Sequence, residues 1–306
     1  MKKWHKLTLF AVMLVILLAG IGLVLAANLF ADITIQNPVS GRTKEQLPAA
    51  LLAEPRFADM ADITLTASDG VRLAAWYIPS QNRAAIILLH GYKANRSTML
   101  PIAAMLIRHG YGVIMPDFRG HGESEGERIT FGHDEMRDVE AAYQYLLTRS
   151  EVDPKRIGLL GNSMGSATAH LYTAENPAIK AVVAQSPYAT LGDMVQANVR
   201  RLGFPTFPLA PMMSFFIERK LGFSVDTIAP IRHIGQISPR PVLILMGGKD
   251  TWVNPEGGQQ LYAAAGEPRE LWFDPDMGHL EFHEKRATEF EERVVMFFDR
   301  YLSGKQ

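Results

Sequence analysis

From Leu7 to Ala31 no side chain is charged, and beyond Asp32 the apolar positions follow a different rhythm. Short runs that are wholly or mostly apolar, at 85–89, 112–115, 156–160 (after Arg156), 181–184, 242–246 and 270–273 (after Glu270), alternate with longer stretches in which apolar residues recur every three or four positions. Runs of the first kind predict strands buried on both faces of a parallel sheet; the others predict amphipathic helices at 98–109, 134–148, 164–175, 255–264 and 281–301. Residues 63–67 and 71–78 are β-rich, and Asp69-Gly70 between them is a hairpin signal. Alternating strands and helices predict the α/β class: a mostly parallel central sheet with helices on both faces.

Two stretches break that rhythm. Residues 187–239 are apolar but punctuated by prolines, too long for one crossover, and predict a small cap inserted over the sheet's edge. The uncharged run at the amino terminus, about 25 residues, would rise about 37 Å as a helix, enough to cross a hydrocarbon core of ~30 Å with tilt. Its length favours a retained transmembrane helix over a cleaved signal peptide, whose apolar region is usually ~7–15 residues. The alternative is secretion after cleavage near Ala26-Ala27. Lys2, Lys3 and Lys6 before the span predict a cytoplasmic amino terminus and a catalytic body on the extracytoplasmic side. The expected organisation is a membrane anchor at 1–31, a linker at 32–56 containing Pro38, Pro48 and Pro55, a core at 57–186, the cap at 187–239, and the rest of the core at 240–306.

Composition narrows the functional classes. The 306 residues carry 31 basic and 32 acidic side chains, so no basic surplus points to nucleic acid. Cysteine is absent, which removes disulfides, thiolate catalysis and cysteine-based metal sites. The expected partners are a small ester or acyl substrate and the membrane, with no cofactor and no metal.

The chemistry centres on Gly161-Asn162-Ser163-Met164-Gly165, which follows a predicted strand and opens a predicted helix. A serine in such a turn has an exposed Oγ, and the helix start aims backbone N–H groups at the place where an oxyanion would form. A serine hydroxyl needs an imidazole to take its proton, and the imidazole needs a carboxylate to orient it. Asp250 follows the 242–246 run, and His279 follows the 270–273 run. Both lie after strand ends, in the chain order Ser, Asp, His. Their competitors are His283, His121 and His90 for the base, and Asp226, Asp274 and Asp276 for the acid. Asp117 and Arg119 read as an ion pair or loop brace, and Glu123, Glu125 and Glu127 as a solvated face. His121, His133, Asp134 and Glu135 read as ordinary surface charge in preference to a metal cluster.

These motifs in this order, with His90-Gly91-Tyr92 and the segment from Asp117 to Ser124, resemble serine hydrolases of the α/β-hydrolase superfamily over residues 63–301. The similarity is greatest to bacterial esterase-like, dienelactone-hydrolase and serine-aminopeptidase-like members. It implies the α/β-hydrolase fold. It assigns Ser163 as nucleophile, His279 as base and Asp250 as its orienting acid, with the backbone N–H groups of Tyr92 and Met164 as the oxyanion hole. The expected activity is cleavage of carboxylic esters. The alternatives are a peptidase or amidase on the same three residues, and a non-catalytic binding protein that keeps the fold.

Overall fold

The computed structural model describes residues 2–37, 41, 43 and 46–303. Residues 38–40, 42, 44 and 45, part of the expected linker, lie outside the described residues. The chain enters as one long helix, α1 (Lys2–Ile35). From Trp4 to Gly22 it is exposed on every side. From Leu23 onward an inward stripe appears at three- and four-residue spacing: Leu23, Ala26, Ala27, Phe30, Ala31, Thr34 and Ile35. The helix therefore outlasts its expected end at Ala31. Its last turn is held by the body, where the carbonyls that a helix leaves unpaired at its C-terminus find donors.

The sheet begins with the expected hairpin, β1 (Ala61–Thr66) and β2 (Arg72–Ile78). The turn is closed by the Gly70 N–H donating to the Ala67 carbonyl and the Ala67 N–H donating to the Val71 carbonyl. After it come β3 (Ala85–Leu89), α2 (Leu100–Arg108), β4 (Gly112–Pro116), α3 (Glu135–Leu147), β5 (Ile157–Asn162), α4 (Met164–Glu175) and β6 (Ala181–Gln185). A helical segment interrupts the alternation with α5 (Leu191–Arg201), α6 (Thr206–Leu221) and α7 (Pro230–His233). The alternation resumes with β7 (Val242–Gly247), α8 (Pro255–Ala264) and β8 (Arg269–Asp274). The chain ends in α9 (Phe282–Lys285) and α10 (Ala287–Leu302). The single helix expected at 281–301 is two, because Arg286 between them leaves helical geometry at φ −129°, ψ 39°.

The eight strands lie in the order β1-β2-β4-β3-β5-β6-β7-β8, antiparallel through β2 and parallel from β4 onward. The alternation of side chains along each strand divides the core. In β3, Ala85, Ile87 and Leu89 enter one apolar cluster with α3, α4 and the inward stripe of α1. Ile86 and Leu88 enter the other, with α2 and α10. Full burial of each such side chain is worth about 1.5–3 kcal/mol. Burial on both faces explains why these strands appear in the sequence as continuous apolar runs.

Candidate active site

The turn after β5 is sterically specified. Ser163 sits at φ 52°, ψ −114°, a left-handed backbone that a non-glycine residue adopts only under constraint. A Cβ on Gly161 would stand 2.3 Å from the Gly165 carbonyl oxygen, and one on Gly165 would stand 2.3 Å from the Leu89 carbonyl oxygen. Only glycines allow the turn to close and to press against the end of β3. The Ser163 N–H donates to the Gln185 carbonyl at 2.8 Å, which locks the turn to the neighbouring strand.

The loop after β3 runs alongside. The Cβ position of Gly91 lies 3.5 Å from the Ser163 Cβ. Next to it, Tyr92 has a backbone N–H with no acceptor among the described residues. Met164 opens α4, so its N–H has no intrahelical acceptor either. Two histidines hold this loop from behind. The His90 Nδ1 donates to the Gly91 carbonyl at 2.8 Å, and its Nε2 accepts the Phe118 N–H at 3.0 Å. The His121 Nδ1 donates to the Arg119 carbonyl at 2.9 Å, and its Nε2 accepts the Lys93 N–H at 3.3 Å. Burial pushes both imidazoles below their ordinary range, so each keeps the neutral tautomer that these bonds require. Both are thus committed to the loop and unavailable as the base.

Asp250 and His279 arrive from two and three strands away, about 10 and 14 Å at ~4.8 Å per strand. Their loops have to lean back toward β5. The loop after β8 does so by crossing over the end of β7: the Lys249 N–H donates to the Met277 carbonyl at 2.9 Å. A Cβ on Gly247 would stand 2.3 Å from that same carbonyl oxygen. The crossing brings the His279 Nδ1 to 2.7 Å from the Asp250 Oδ2. The other carboxylate oxygen of Asp250 accepts the Trp252 and Val253 N–H groups at 2.8 and 2.9 Å, which fixes the acid in its loop. The side chain of Asp250 is fully buried and that of His279 is 15% exposed.

Ser163 and His279 line one cleft of about 540 Å³. Phe131, Met164, Tyr188, Met194, Val253 and Leu280 make much of its wall apolar. The Ser163 hydroxyl takes no hydrogen-bond partner among the described residues. The other candidates lie elsewhere or are otherwise engaged. Asp274 pairs with Arg286 at 3.2 Å, and Asp276 with Lys249 at 2.7 Å. The backbone carbonyl of Asp226 accepts from Arg232 at 3.0 Å. His283 lines the cleft wall but lies 3.9 Å from its nearest carboxylate, on Glu284.

Three readings of charged residues need correction. Asp117 and Arg119 do not pair with each other, although each braces its loop through partners of its own. Asp117 pairs with the buried Arg96, whereas Arg119 bridges Asp69 at 2.7 Å and Asp138 at 2.7 Å. Glu123 is not simply solvated, since it takes the second arm of the Arg96 guanidinium. Glu135 is buried and accepts the Thr130 N–H, the Thr130 hydroxyl and the Gly132 N–H, while His133 stacks on Phe223 at 4.1 Å. Sequence reasoning gave no role to Trp252, which stacks beside the His279 ring at 6.1 Å and carries the Arg201 guanidinium 3.7 Å from its own ring. An aromatic in the loop of the proposed acid was the only available signal.

The profile described as "Serine aminopeptidase, S33" matches residues 80–221. The uncharacterized protein YfhR of Salmonella typhi is 29% identical over 269 residues, covering 82% of this chain and 85% of its own. The uncharacterized protein Rv2307c of Mycobacterium tuberculosis is 30% identical over 221 residues, covering 71% of this chain and 72% of its own. The structure of the esterase Pf2001 from Pyrococcus furiosus matches with a TM-score of 0.71 at 27% identity, covering 87% of this chain and 99% of that one. The chain belongs to the α/β-hydrolase superfamily. This α/β hydrolase has the superfamily's mostly parallel eight-stranded sheet flanked by helices, preceded by a helix long and apolar enough to cross a membrane.

Proposed function

We propose that the protein is a membrane-anchored serine hydrolase that cleaves carboxylic esters. The observation that carries this reading is the 2.7 Å contact between His279 and buried Asp250 in a cleft shared with Ser163. In the proposed reaction the Ser163 Oγ attacks the ester carbonyl as His279 takes its proton. Asp250 holds the imidazole tautomer and stabilises the cation. The N–H groups of Tyr92 and Met164 receive the oxyanion. His279 then delivers the proton to the leaving alcohol, and water releases the acyl group from Ser163. The apolar wall suits an acyl chain, and the Pyrococcus furiosus relative is an esterase.

A second reading, an aminopeptidase on the same residues, is favoured by Glu281 and Glu284 at the cleft, which offer carboxylates for a substrate amino group. Glu281, however, already pairs with Lys285 at 2.6 Å and accepts the Gly278 N–H at 2.7 Å. Retention of α1 as an anchor is supported by its inward stripe. Ala26 and Ala27, the small residues of the candidate cleavage site, sit inside a packed helix.

The test is fluorophosphonate labelling of the full chain, followed by p-nitrophenyl esters set against aminoacyl anilides. Labelling is expected on Ser163, with esters turned over faster. Ser163→Ala is expected to lose label and to lower kcat on the order of 10⁴-fold. Wild-type turnover by Ser163→Ala would overturn the mechanism, and faster anilide hydrolysis would favour the aminopeptidase.

A further inference from the structure

The part of α1 exposed on every side runs from Trp4 to Gly22, which spans about 28 Å at ~1.5 Å per residue, close to a bilayer's hydrocarbon thickness of ~30 Å. The body begins where that span ends, and what stands there is not polar. The start of α6 lies against Val24, enclosing with it a shallow groove lined by Phe207, Pro208, Pro211, Met212, Phe215 and Phe216. Phe207 is 80% exposed and Phe215 is 52% exposed. Leu202 and Phe204, just before α6, are also exposed, and the Phe204 ring meets that of Phe30 on α1 at 6.1 Å. The outward side of the docked half of α1 adds Leu25, Leu29 and Ile33, spaced four apart and all exposed. These side chains form an apolar collar that starts at the root of the span and continues down α6. Apolar patches of this kind mark contact sites.

The collar has a cationic edge. Arg200 and Arg201 end α5, and Arg219 lies with its guanidinium 5.9 Å from the Phe215 ring. Lys220 is tied to Asp32 of α1 at 2.9 Å. Aromatic rings beside cations that can reach phosphate are the composition of a bilayer interface. The end of α1 is bonded to the hydrolase body at three successive carbonyls. Lys93 donates to the Ile33 carbonyl at 2.6 Å, Tyr92 to the Thr34 carbonyl at 2.8 Å, and the Ile129 N–H to the Ile35 carbonyl at 2.8 Å. A span fixed in this way cannot enter the bilayer without bringing the collar to the membrane surface.

We propose that the collar of α6, led by Phe207 and Phe215, is a second membrane-contact surface that inserts into the lipid interface beside α1. The hydrolase body then rides on the bilayer in one orientation instead of hanging from a tether. This rests on the reading of α1 as a retained span. The ligand is the phospholipid surface, whose acyl region takes the rings and whose phosphates face the arginines.

The absence of cysteine makes the test free of background. Single variants Ile16→Cys, Phe207→Cys, Phe215→Cys and Lys155→Cys of the full chain are spin-labelled and reconstituted in vesicles of phosphatidylethanolamine and phosphatidylglycerol. Relaxation by oxygen is compared with relaxation by a water-soluble nickel chelate. Phe207 and Lys155 are both exposed, so neither variant disturbs the core. The labels at 16, 207 and 215 are expected to favour oxygen and the label at 155 to favour the chelate. If 16 favours oxygen while 207 and 215 behave like 155, the span stands and the docking surface is overturned. If 207 and 215 are shielded from both reagents, a second copy of the chain covers the collar and the lipid proposal is overturned. If 16 favours the chelate, the anchor reading fails and the proposal with it. As a second arm, Phe207→Asp with Phe215→Asp is expected to lower hydrolysis of a vesicle-borne long-chain ester at least tenfold, with a soluble short-chain ester cleaved at the wild-type rate. Equal rates on both substrates would count against lipid docking.

Discussion

The hydroxyl of Tyr92 donates to the Thr34 carbonyl at 2.8 Å, joining the loop beside Ser163 to the last turn of the apolar amino-terminal helix. Lys93, the next residue, holds the adjacent Ile33 carbonyl. The end of α1 has unpaired carbonyls and the negative end of the helix dipole, and it receives a hydroxyl and an ammonium from the loop that carries the proposed oxyanion donor. The amino-terminal helix is thereby part of the frame of the loop beside Ser163.

Tyr92→Phe removes that one donor and keeps the ring. A hydrogen bond of this kind is worth about 1 kcal/mol, so if the bond positions the Tyr92 N–H, kcat is expected to fall about fivefold with KM little changed. Steady-state kinetics on a soluble ester measures it. An unchanged kcat with a lowered Tm would mean that the bond holds the helix and not the site.

The Trp252 ring stacks beside His279 and holds the Arg201 guanidinium, so it is expected to keep the imidazole from swinging out of the cleft. Trp252→Ala is predicted to lower kcat/KM about fivefold, in keeping with about 1 kcal/mol for an aromatic contact, and Trp252→Phe to restore most of the loss. Equal activity in Trp252→Ala would remove this role.

The Arg96–Asp117 pair is almost wholly enclosed, with side chains 3% and 0% exposed. Asp117→Ala leaves the guanidinium with the half-exposed Glu123 as its remaining ionic partner among the described residues. It is expected to cost about 3–5 kcal/mol in urea unfolding, the range seen when one member of a buried pair is removed. A loss under about 1 kcal/mol would show that Glu123 and the Trp76 ring, 4.5 Å from the guanidinium, suffice to hold Arg96.

Burial holds His90, His121, His170 and His283 below the ordinary imidazole range, His170 at about 3. In the unfolded chain these groups titrate near pH ~6.5. Above that pH they are neutral in both states and the stability is whole. As pH falls below it, the unfolded chain takes protons that the folded chain refuses, and stability falls until the folded groups titrate. For His170 the loss continues to about pH 3. Each such histidine contributes a slope of up to ~1.4 kcal/mol per pH unit. Urea midpoints between about pH 7 and about pH 5 are expected to drop, and His170→Phe to flatten the drop by one such slope. An identical slope in that variant would falsify the assignment of His170.

What the sequence made legible is what short-range sterics and solvent dictate. Residues 85–89 had to be a strand between two apolar layers, because five consecutive apolar side chains on a strand face both ways. Gly161 and Gly165 had to be glycines around Ser163, because the turn leaves no room for a Cβ. The order Ser163, Asp250, His279 followed from three strand ends. The uncharged run before Asp32 declared a helix long enough for a membrane. The chain could not declare which charges meet. Among 31 bases and 32 acids, Asp117 stands two residues from Arg119 yet pairs with Arg96, because β4 ends beside the loop after β3 and turns its first carboxylate that way. Nor could it show that Tyr92 would reach back to Thr34, or that the loop after β8 would cross Gly247 to set His279 on Asp250. Such contacts join segments far apart in sequence whose separation is fixed only when the sheet is assembled. Periodicity records the face a residue turns to, and the tertiary structure alone decides what stands opposite.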